Sequence, residues 1–380
     1  MKVAIVLNTS WNIYNFRLNF IRQLTDLGYE VHTLAPQDNF TARLTEAGCI
    51  HHHIRMDSRG ANPIKDAALI IELWLQYRKI KPDIILHYTI KPNIYGTIAA
   101  SWLNIPVINN VCGLGTVFLK NNLVSLVAMW LYKLAFRYPR KVFFQNGDDY
   151  RLFINRGLVP EKVADLLPGS GVDLERFKPL PSFKRNATFT FLMISRLITD
   201  KGVLEFIDAI RNLKGRGVNA RFQLLGPKDV RHKRGIKEKT IESWLRDGVV
   251  EYLGTTEDVR PFIQSADCIV LPSYREGAPR TLLEAASSGK PIVASDVAGC
   301  HHVVEDQYNG FLCQARNADD LASKMSDMMT LSNQQLEQMG QNGRIKVSRE
   351  YGEIQVIGKY LDTINQFIPR TRNHPGRSGR

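Results

Sequence analysis

Short apolar runs alternate with longer segments of helical periodicity along most of the chain, and this alternation limits the fold more than any other feature. Residues 3–7, 30–35, 84–87, 107–110 and 142–145 read as strands, with helices expected at 16–27, 64–79, 94–103 and 123–137. Repeated strand–helix–strand units build parallel sheets covered by helices on both faces. A stretch rich in Pro and Gly follows at 168–181, and the series then restarts with strands at 190–194, 222–225, 249–253, 269–271 and 292–295. The expected fold class is α/β, with two Rossmann-like parallel-sheet domains facing a central cleft. The expected divisions are an N-terminal domain at 1–168, a linker at 169–183, a C-terminal domain at 184–350, a final helix at 351–369 and a basic, disordered tail at 370–380.

A chain of 380 residues, 44% of them hydrophobic, can bury two cores. Its 50 Lys and Arg against 37 Asp and Glu leave a net charge of +13, which calls for a polyanionic partner: a phosphorylated substrate, an acidic membrane surface or nucleic acid. The five cysteines are scattered without a C-x-x-C pair, which argues against a disulfide framework or a cysteine zinc site and fits a reducing cytoplasm. The apolar run at 1–7 is too short for a signal peptide and reads as a first strand.

No Asp or Glu occurs between Asp83 and Asp148, while Lys91, Lys120, Lys133, Arg137, Arg140 and Lys141 fall in that window. Inside it, residues 123–137 are apolar and aromatic with cations at the end, too few to span a bilayer. This segment fits either a core helix with basic ends or an interfacial helix seated among anionic headgroups.

Ligands of open α/β sheets collect at the carboxyl ends of the strands. In the first half that rule selects the loops at 8–12, 87–93 and 110–116, which offer Asn8, His87, Lys91, Gly113 and Gly115; Asn15 and the cation Arg17 stand at the entry of the next helix. His87 beside Lys91 can meet a hydroxyl or a phosphate, although a lone histidine is also a common structural residue. Gly113-Leu114-Gly115 is not a dinucleotide fingerprint, because Phe118 holds the third glycine position and the motif does not follow the first strand. His51-His52-His53 alternates between sheet faces with no carboxylate or cysteine close by and reads as structural.

In the second half, Arg196 and Lys201 lie between a strand end and a helix start, a placement suited to a diphosphate. Gly226 and Gly254 end later strands and permit close backbone approach. Ser273 to Ala285 then forms loop and helix start, with Gly277, Ala278, Pro279, Arg280 and Thr281 at the anion-binding end. Two carboxylates, Glu276 in the loop and Glu284 inside the helix, reach different parts of one elongated ligand, sugar hydroxyls at one end and a ribose at the other.

The run Glu276-Gly-Ala-Pro-Arg-Thr-Leu-Leu-Glu284, with Arg196 and Lys201 upstream, resembles the E-x7-E signature of retaining, nucleotide-sugar-dependent glycosyltransferases of family 4, which have the GT-B fold. The resemblance extends from residue 2 to 368 and is strongest to bacterial N-acetylgalactosaminyltransferases acting on polyprenyl-diphosphate-linked glycans. It implies that Arg196 and Lys201 bind the donor diphosphate, that the Gly226 and Gly254 loops hold base and ribose, and that the last helix crosses back to the first domain. Retention at the anomeric carbon is implied as well, and a UDP-linked N-acetylhexosamine is favoured, with GDP donors left open. The polar loop at 8–12 departs from the glycine-rich loop common in the family, while Asn309-Gly310-Phe311-Leu312 resembles its closing hairpin.

No Asp-x-Asp occurs, so no metal and no other cofactor is expected. The expected partners are a nucleotide-sugar donor, a lipid-linked glycan acceptor and an anionic membrane surface, with no nucleic acid, at the inner face of the cytoplasmic membrane. Two competing readings are a sugar-nucleotide epimerase of the same fold, which would isomerise free UDP-sugar without acceptor, and a non-catalytic membrane-binding protein, which would bind liposomes without turnover.

Overall fold

The structure, a computed structural model, describes residues 1–57, 62–114, 123–180, 187–230 and 232–368. Gly115, the end of the expected linker and the tail lie outside the described residues. The first sheet has seven strands in the order β3-β2-β1-β4-β5-β6-β7. They are β1 Lys2–Val6, β2 Glu30–Ala35, β3 Ile50–His53, β4 Ile84–Tyr88, β5 Val107–Val111, β6 Lys141–Phe144 and β7 Ala164–Leu166. The second sheet has six in the order β10-β9-β8-β11-β12-β13, namely β8 Thr190–Ile194, β9 Arg221–Leu225, β10 Glu251–Tyr252, β11 Cys268–Leu271, β12 Ile292–Ser295 and β13 Gly310–Cys313. Every ladder in both sheets is parallel.

The order in which successive strands are laid down reverses between β1 and β4 in one sheet and between β8 and β11 in the other. Loops leaving the carboxyl ends of these four strands therefore part and open a crevice. Period-two alternation buries both faces of the strands. Val3 and Ile5 pack with Ile13, Phe20 and Leu24 of helix Ser10–Asp26, whereas Ala4 and Val6 pack with Leu69, Leu73 and Tyr77 of helix Pro63–Ile80.

Several local readings are corrected. The first helix starts at Ser10 because the Thr9 hydroxyl accepts the Asn12 amide at 3.1 Å, so Asn12 and Asn15 ride on the helix. The helix expected at 94–103 is a π-helical turn, Pro92–Gly96, that runs into helix Thr97–Ser101. Strands β3 and β7 occupy sheet edges, where short and partly exposed segments carry a weak apolar pattern. Asn309 to Leu312 is not a hairpin: Gly310 opens β13, which pairs in parallel with β12. A Cβ at Gly310 would lie 2.3 Å from the Ile292 carbonyl oxygen, so only glycine fits that approach.

The last helix, Glu353–Phe367, buries Val356, Ile357, Tyr360 and Ile364 in the core of the first sheet. Its entry runs beside the outgoing chain, with the Val172 amide on the Tyr351 carbonyl at 2.8 Å and the Glu353 amide on the Val172 carbonyl at 3.0 Å. Tyr360 stacks on Phe20 with ring centroids 5.0 Å apart and donates its hydroxyl to Asn110 Oδ1 at 2.5 Å. Tyr360→Ala removes a buried ring and leaves Asn110 without that donor. It is expected to destabilise the first domain by about 3–5 kcal/mol, read as a lower urea midpoint; a shift below about 1 kcal/mol would contradict this packing role.

Candidate active site

The four switch-point loops enclose a cleft of about 910 Å³ between the domains, a size suited to a small-molecule ligand. Its second-domain wall grows out of β8 and β11. After β11, Pro279 (φ −70°, ψ 108°) precedes helix Arg280–Ser287 without a side-chain cap on the helix start. Gly277, Ala278, Pro279, Arg280 and Thr281 line the cleft there. Proline has no N–H, so the donors available to an anion are those of Gly277, Ala278, Arg280 and Thr281. The Thr281 hydroxyl donates to the Ile194 carbonyl at 3.1 Å and ties the helix to the end of β8.

Each carboxylate of the E-x7-E pair holds a cation. Glu276 hydrogen-bonds the Lys201 ammonium, and its own amide donates to the Ala298 carbonyl at 3.0 Å. Glu284 accepts from Arg280 Nε at 2.8 Å. Burial pushes the Glu284 carboxyl upward while Arg280 pulls it back. Glu284 stands behind Arg280 rather than on the cleft surface, and the Arg280 guanidinium also reaches Ser170 Oγ at 3.2 Å and lies 5.1 Å from the centre of the Phe16 ring. Arg196 is more open than Lys201 and Arg280, 52% exposed and 3.6 Å from Asp229.

On the first-domain wall, Asn8 and Arg17 face the cleft, and the buried Arg17 guanidinium sits 4.4 Å over the Tyr88 ring. Thr89 and Gln145 line the cleft as well and were not singled out from the sequence. Thr89 has a left-handed φ of 66° and a buried hydroxyl with no hydrogen-bond partner, a strained and unsatisfied position of the kind that collects at functional sites. The strand-end rule could have found Gln145, since it follows β6 directly.

Other candidates fall elsewhere. His87 is fully buried, with Nε2 2.9 Å from the Tyr77 hydroxyl and Nδ1 3.1 Å from Asn109 Oδ1. Because β4 runs on to Tyr88, His87 points into the layer beneath the loop, where a Cβ on Gly96 would come within 2.5 Å of its ring. It braces the π-helical turn and does not line the cleft. Lys91 turns away to pair with Asp66 at 2.7 Å, and the Asn15 amide is spent on the Trp11 carbonyl at 2.9 Å. Gly226 and Gly254 lie behind the cleft lining: a Cβ on Gly226 would sit 2.0 Å from the Ser195 carbonyl oxygen, and its amide donates to the Gly254 carbonyl at 2.8 Å. They shape the loop, while Pro227, Lys228 and Asp229 form the surface.

The domains meet tightly at Gly277, where a Cβ would lie 2.4 Å from the Cys112 carbonyl oxygen and 3.1 Å separate the Gly277 nitrogen from a Cβ on Gly113. Asn146 Nδ2 donates to the Gly277 carbonyl at 2.9 Å, and Arg275 pairs with the buried Asp149.

Burial lowers the His87 imidazole to a pKa of about 3, against 6.5 for the free side chain. Its folded-state pKa is depressed, so the stability it supports is present above pH 6.5 and is lost as pH falls toward 3. Wild-type stability should therefore decline with acid over that window. His87→Asn should flatten the decline by roughly one proton in denaturation curves while leaving ligand affinity in the cleft unchanged; an unchanged slope would show that His87 is not the buried group.

Matches to known proteins agree with this geometry. Residues 2–146 match the model described as "Glycosyl transferase 4-like" and residues 188–330 the one described as "Glycosyl transferases group 1". An N,N'-diacetylbacillosaminyl-diphospho-undecaprenol alpha-1,3-N-acetylgalactosaminyltransferase from Campylobacter jejuni is 30% identical, over 97% of this chain and 99% of that one. A UDP-Gal:alpha-D-GlcNAc-diphosphoundecaprenol alpha-1,3-galactosyltransferase from Escherichia coli is 26% identical over 80% of each. The Anabaena Alr3699/HepE structure with UDP and glucose superposes with a TM-score of 0.79 at 18% identity, covering 96% of this chain and 99% of that one. A cleft built from paired switch points, with its phosphate-suited wall on the second domain, therefore goes with full-length kinship: the chain belongs to the group 1, family 4-like glycosyltransferases of the GT-B fold and is a hexosyltransferase.

Proposed function

We propose that this enzyme is a retaining, metal-independent glycosyltransferase that moves a hexose or N-acetylhexosamine from a nucleotide diphosphate sugar, UDP favoured, to a polyprenyl-diphosphate-linked glycan in bacterial surface polysaccharide or glycoprotein glycan assembly. The observation that carries this reading is the meeting, in one cleft, of Arg196, Lys201 and an uncapped helix start with Asn8 and Arg17 on the facing wall. The acceptors named for the Campylobacter and Escherichia relatives support the lipid diphosphate, and the UDP-galactose named for the latter supports the donor base.

In this mechanism the donor diphosphate lies on Arg196, Lys201 and the N–H groups of residues 277, 278, 280 and 281. As the bond from the anomeric carbon to the phosphate oxygen breaks, negative charge grows on the leaving diphosphate, and these fixed charges and dipoles stabilise it. The acceptor hydroxyl enters from the same face, forms the new bond and passes its proton to an oxygen of the leaving diphosphate. Glu276 orients the sugar hydroxyls, while Glu284, which the sequence offered for the ribose, acts through Arg280, the cation it holds at the cleft wall. Because Lys201 and Arg280 are held by these carboxylates beforehand, binding has only to redirect cations already in place. The protein groups thus do the work that a divalent ion does in other transferases, and transfer is expected to persist in EDTA.

The same reading seats helix Leu123–Ala135 on an anionic membrane. No helix among the described residues is long and apolar enough to cross one. This helix buries Tyr132 and Ala135 in the core yet exposes Leu126, Val127 and Trp130, the last by 64%, with Lys133 and Arg137 exposed beyond them. An apolar outer face followed by cations suits the headgroup boundary.

In EDTA, UDP or a UDP-sugar should raise the melting temperature, and Arg196→Ala or Lys201→Ala should each weaken binding by roughly tenfold to a hundredfold, the loss of one charge-assisted hydrogen bond. Failure of every nucleotide to stabilise folded protein would sink the transferase reading, and isomerisation of the donor without acceptor would replace it with an epimerase. Trp130→Glu should reduce flotation with vesicles containing anionic lipid while leaving UDP affinity intact. Unchanged flotation would remove this helix from the membrane contact.

A further inference from the structure

The adjacent histidines His301 and His302 take no part in the donor chemistry above. They sit on the short helical turn Cys300–Val303 of the second domain and face helix Gly147–Asn155 of the first. His301 Nε2 lies 2.8 Å and His302 Nε2 3.1 Å from the same oxygen, Oδ2 of Asp148. The three atoms fall within 4.8 Å of one another, a grouping of His, Cys or carboxylate ligands found nowhere else among the described residues. The two rings meet edge to face with centroids 4.7 Å apart.

What surrounds this cluster is arranged for more than an ion pair. His301 Nδ1 is 2.7 Å from Asp296 Oδ1. A carboxylate on Nδ1 keeps the N–H on that nitrogen and turns the Nε2 lone pair outward, the usual outer partner of a metal-bound imidazole. That lone pair faces a carboxylate oxygen, a repulsive contact unless positive charge lies between them. Protonation can also satisfy the contacts, with an imidazolium at His301 between Asp296 and Asp148 and the Nε2–H tautomer at His302, but that takes a proton on each ring, whereas one metal ion satisfies all three atoms together. Arg151 holds the other oxygen of Asp148, Oδ1, at 2.7 Å and keeps Oδ2 turned toward the histidines. The three ligand side chains are each about a third exposed, so an ion can enter from solvent and complete its shell with water.

We propose that Asp148, His301 and His302 form a divalent transition-metal site of the zinc class that bridges the two domains beside the donor loop. Two imidazoles and one carboxylate with an open position suit zinc and its neighbours rather than magnesium or calcium, which take oxygen ligands. The bridge has mechanical reach. Gly299 packs on the Glu276 backbone, where a Cβ would lie 2.6 Å from the Glu276 carbonyl oxygen, and the Ala298 carbonyl accepts the Glu276 amide. An ion joining Asp148 to residues 301 and 302 therefore fixes the loop that carries Glu276 against the first domain. It is separate from the leaving-group chemistry, which uses no metal, and does not depend on the identity of the donor.

The test uses the full chain without an affinity tag, stripped with EDTA and dialysed, with folding confirmed by circular dichroism. Calorimetric titration with Zn²⁺ should show one equivalent bound, and Co²⁺ should give a visible d–d absorption with the same stoichiometry. His302→Ala and Asp148→Asn should each abolish that equivalent. Asp296→Asn should weaken it roughly tenfold to a hundredfold, as removal of an outer partner does. His52→Ala should retain it; that residue belongs to the other close imidazole pair, with His32 at 2.9 Å. Absence of a stoichiometric equivalent in folded wild type, or binding indifferent to His302→Ala and Asp148→Asn, would overturn the assignment and leave the cluster a proton-bridged ion pair.

Discussion

The approach of the two domains at Gly277 governs the geometry of everything around the cleft. With no side chain, the Gly277 backbone can lie against the Cys112 carbonyl, and Asn146 then fastens the Gly277 carbonyl from the first domain. A methyl group there would push the sheets apart by a sizeable fraction of its own diameter. Interdomain contacts of this kind are usually small and polar, and here Arg275 pairs with buried Asp149 across the boundary. Glu276, one residue away, is consequently placed by both domains at once. Any opening of the cleft must disturb the loop that carries it.

Electrostatics in the cleft follow from this placement. A basic chain could have left its cations in solvent, where pairing is worth little. Lys201 and Arg280 instead sit in partly buried positions against Glu276 and Glu284, so the cations are oriented and their charge is locally balanced. Arg196 stays more open beside Asp229. A diphosphate entering such a site exchanges partners with groups already desolvated and aimed, which is the economy of preorganisation. The E-x7-E spacing acquires a structural meaning: each carboxylate holds one cation beside the cleft.

Much of this was legible in the chain. Apolar runs buried on both faces announce parallel strands, and Val3 to Val6 serves two cores by strict alternation. Arg196, Lys201, Glu276 and the residues from Gly277 to Thr281 were placed together by one rule, that ligands gather beyond the carboxyl ends of strands. The rule worked less well where an element's end shifted. Thr9 starts its helix early and carries Asn15 away from the cleft; β4 extends to Tyr88 and takes His87 inside. Edge strands β3 and β7 carry too little burial to stand out. Gly310 was assigned to a closing hairpin by family resemblance, whereas it opens β13 in parallel with β12.

The sequence by itself determined the α/β class, the doubling of the sheet and the cations and helix start brought together at the strand ends of the second domain, because these rest on periodicity and on residue types close together in the chain. Only the tertiary structure decided which side chains share a space. His87 became a brace for the Pro92–Gly96 turn, Thr89 emerged in a strained, unsatisfied position on the cleft, and Asp148 came to face His301 and His302 across a separation of more than 150 residues. No local pattern encodes such pairings. They depend on how two sheets are set against each other, and that is fixed by contacts such as the one at Gly277, between residues distant in sequence.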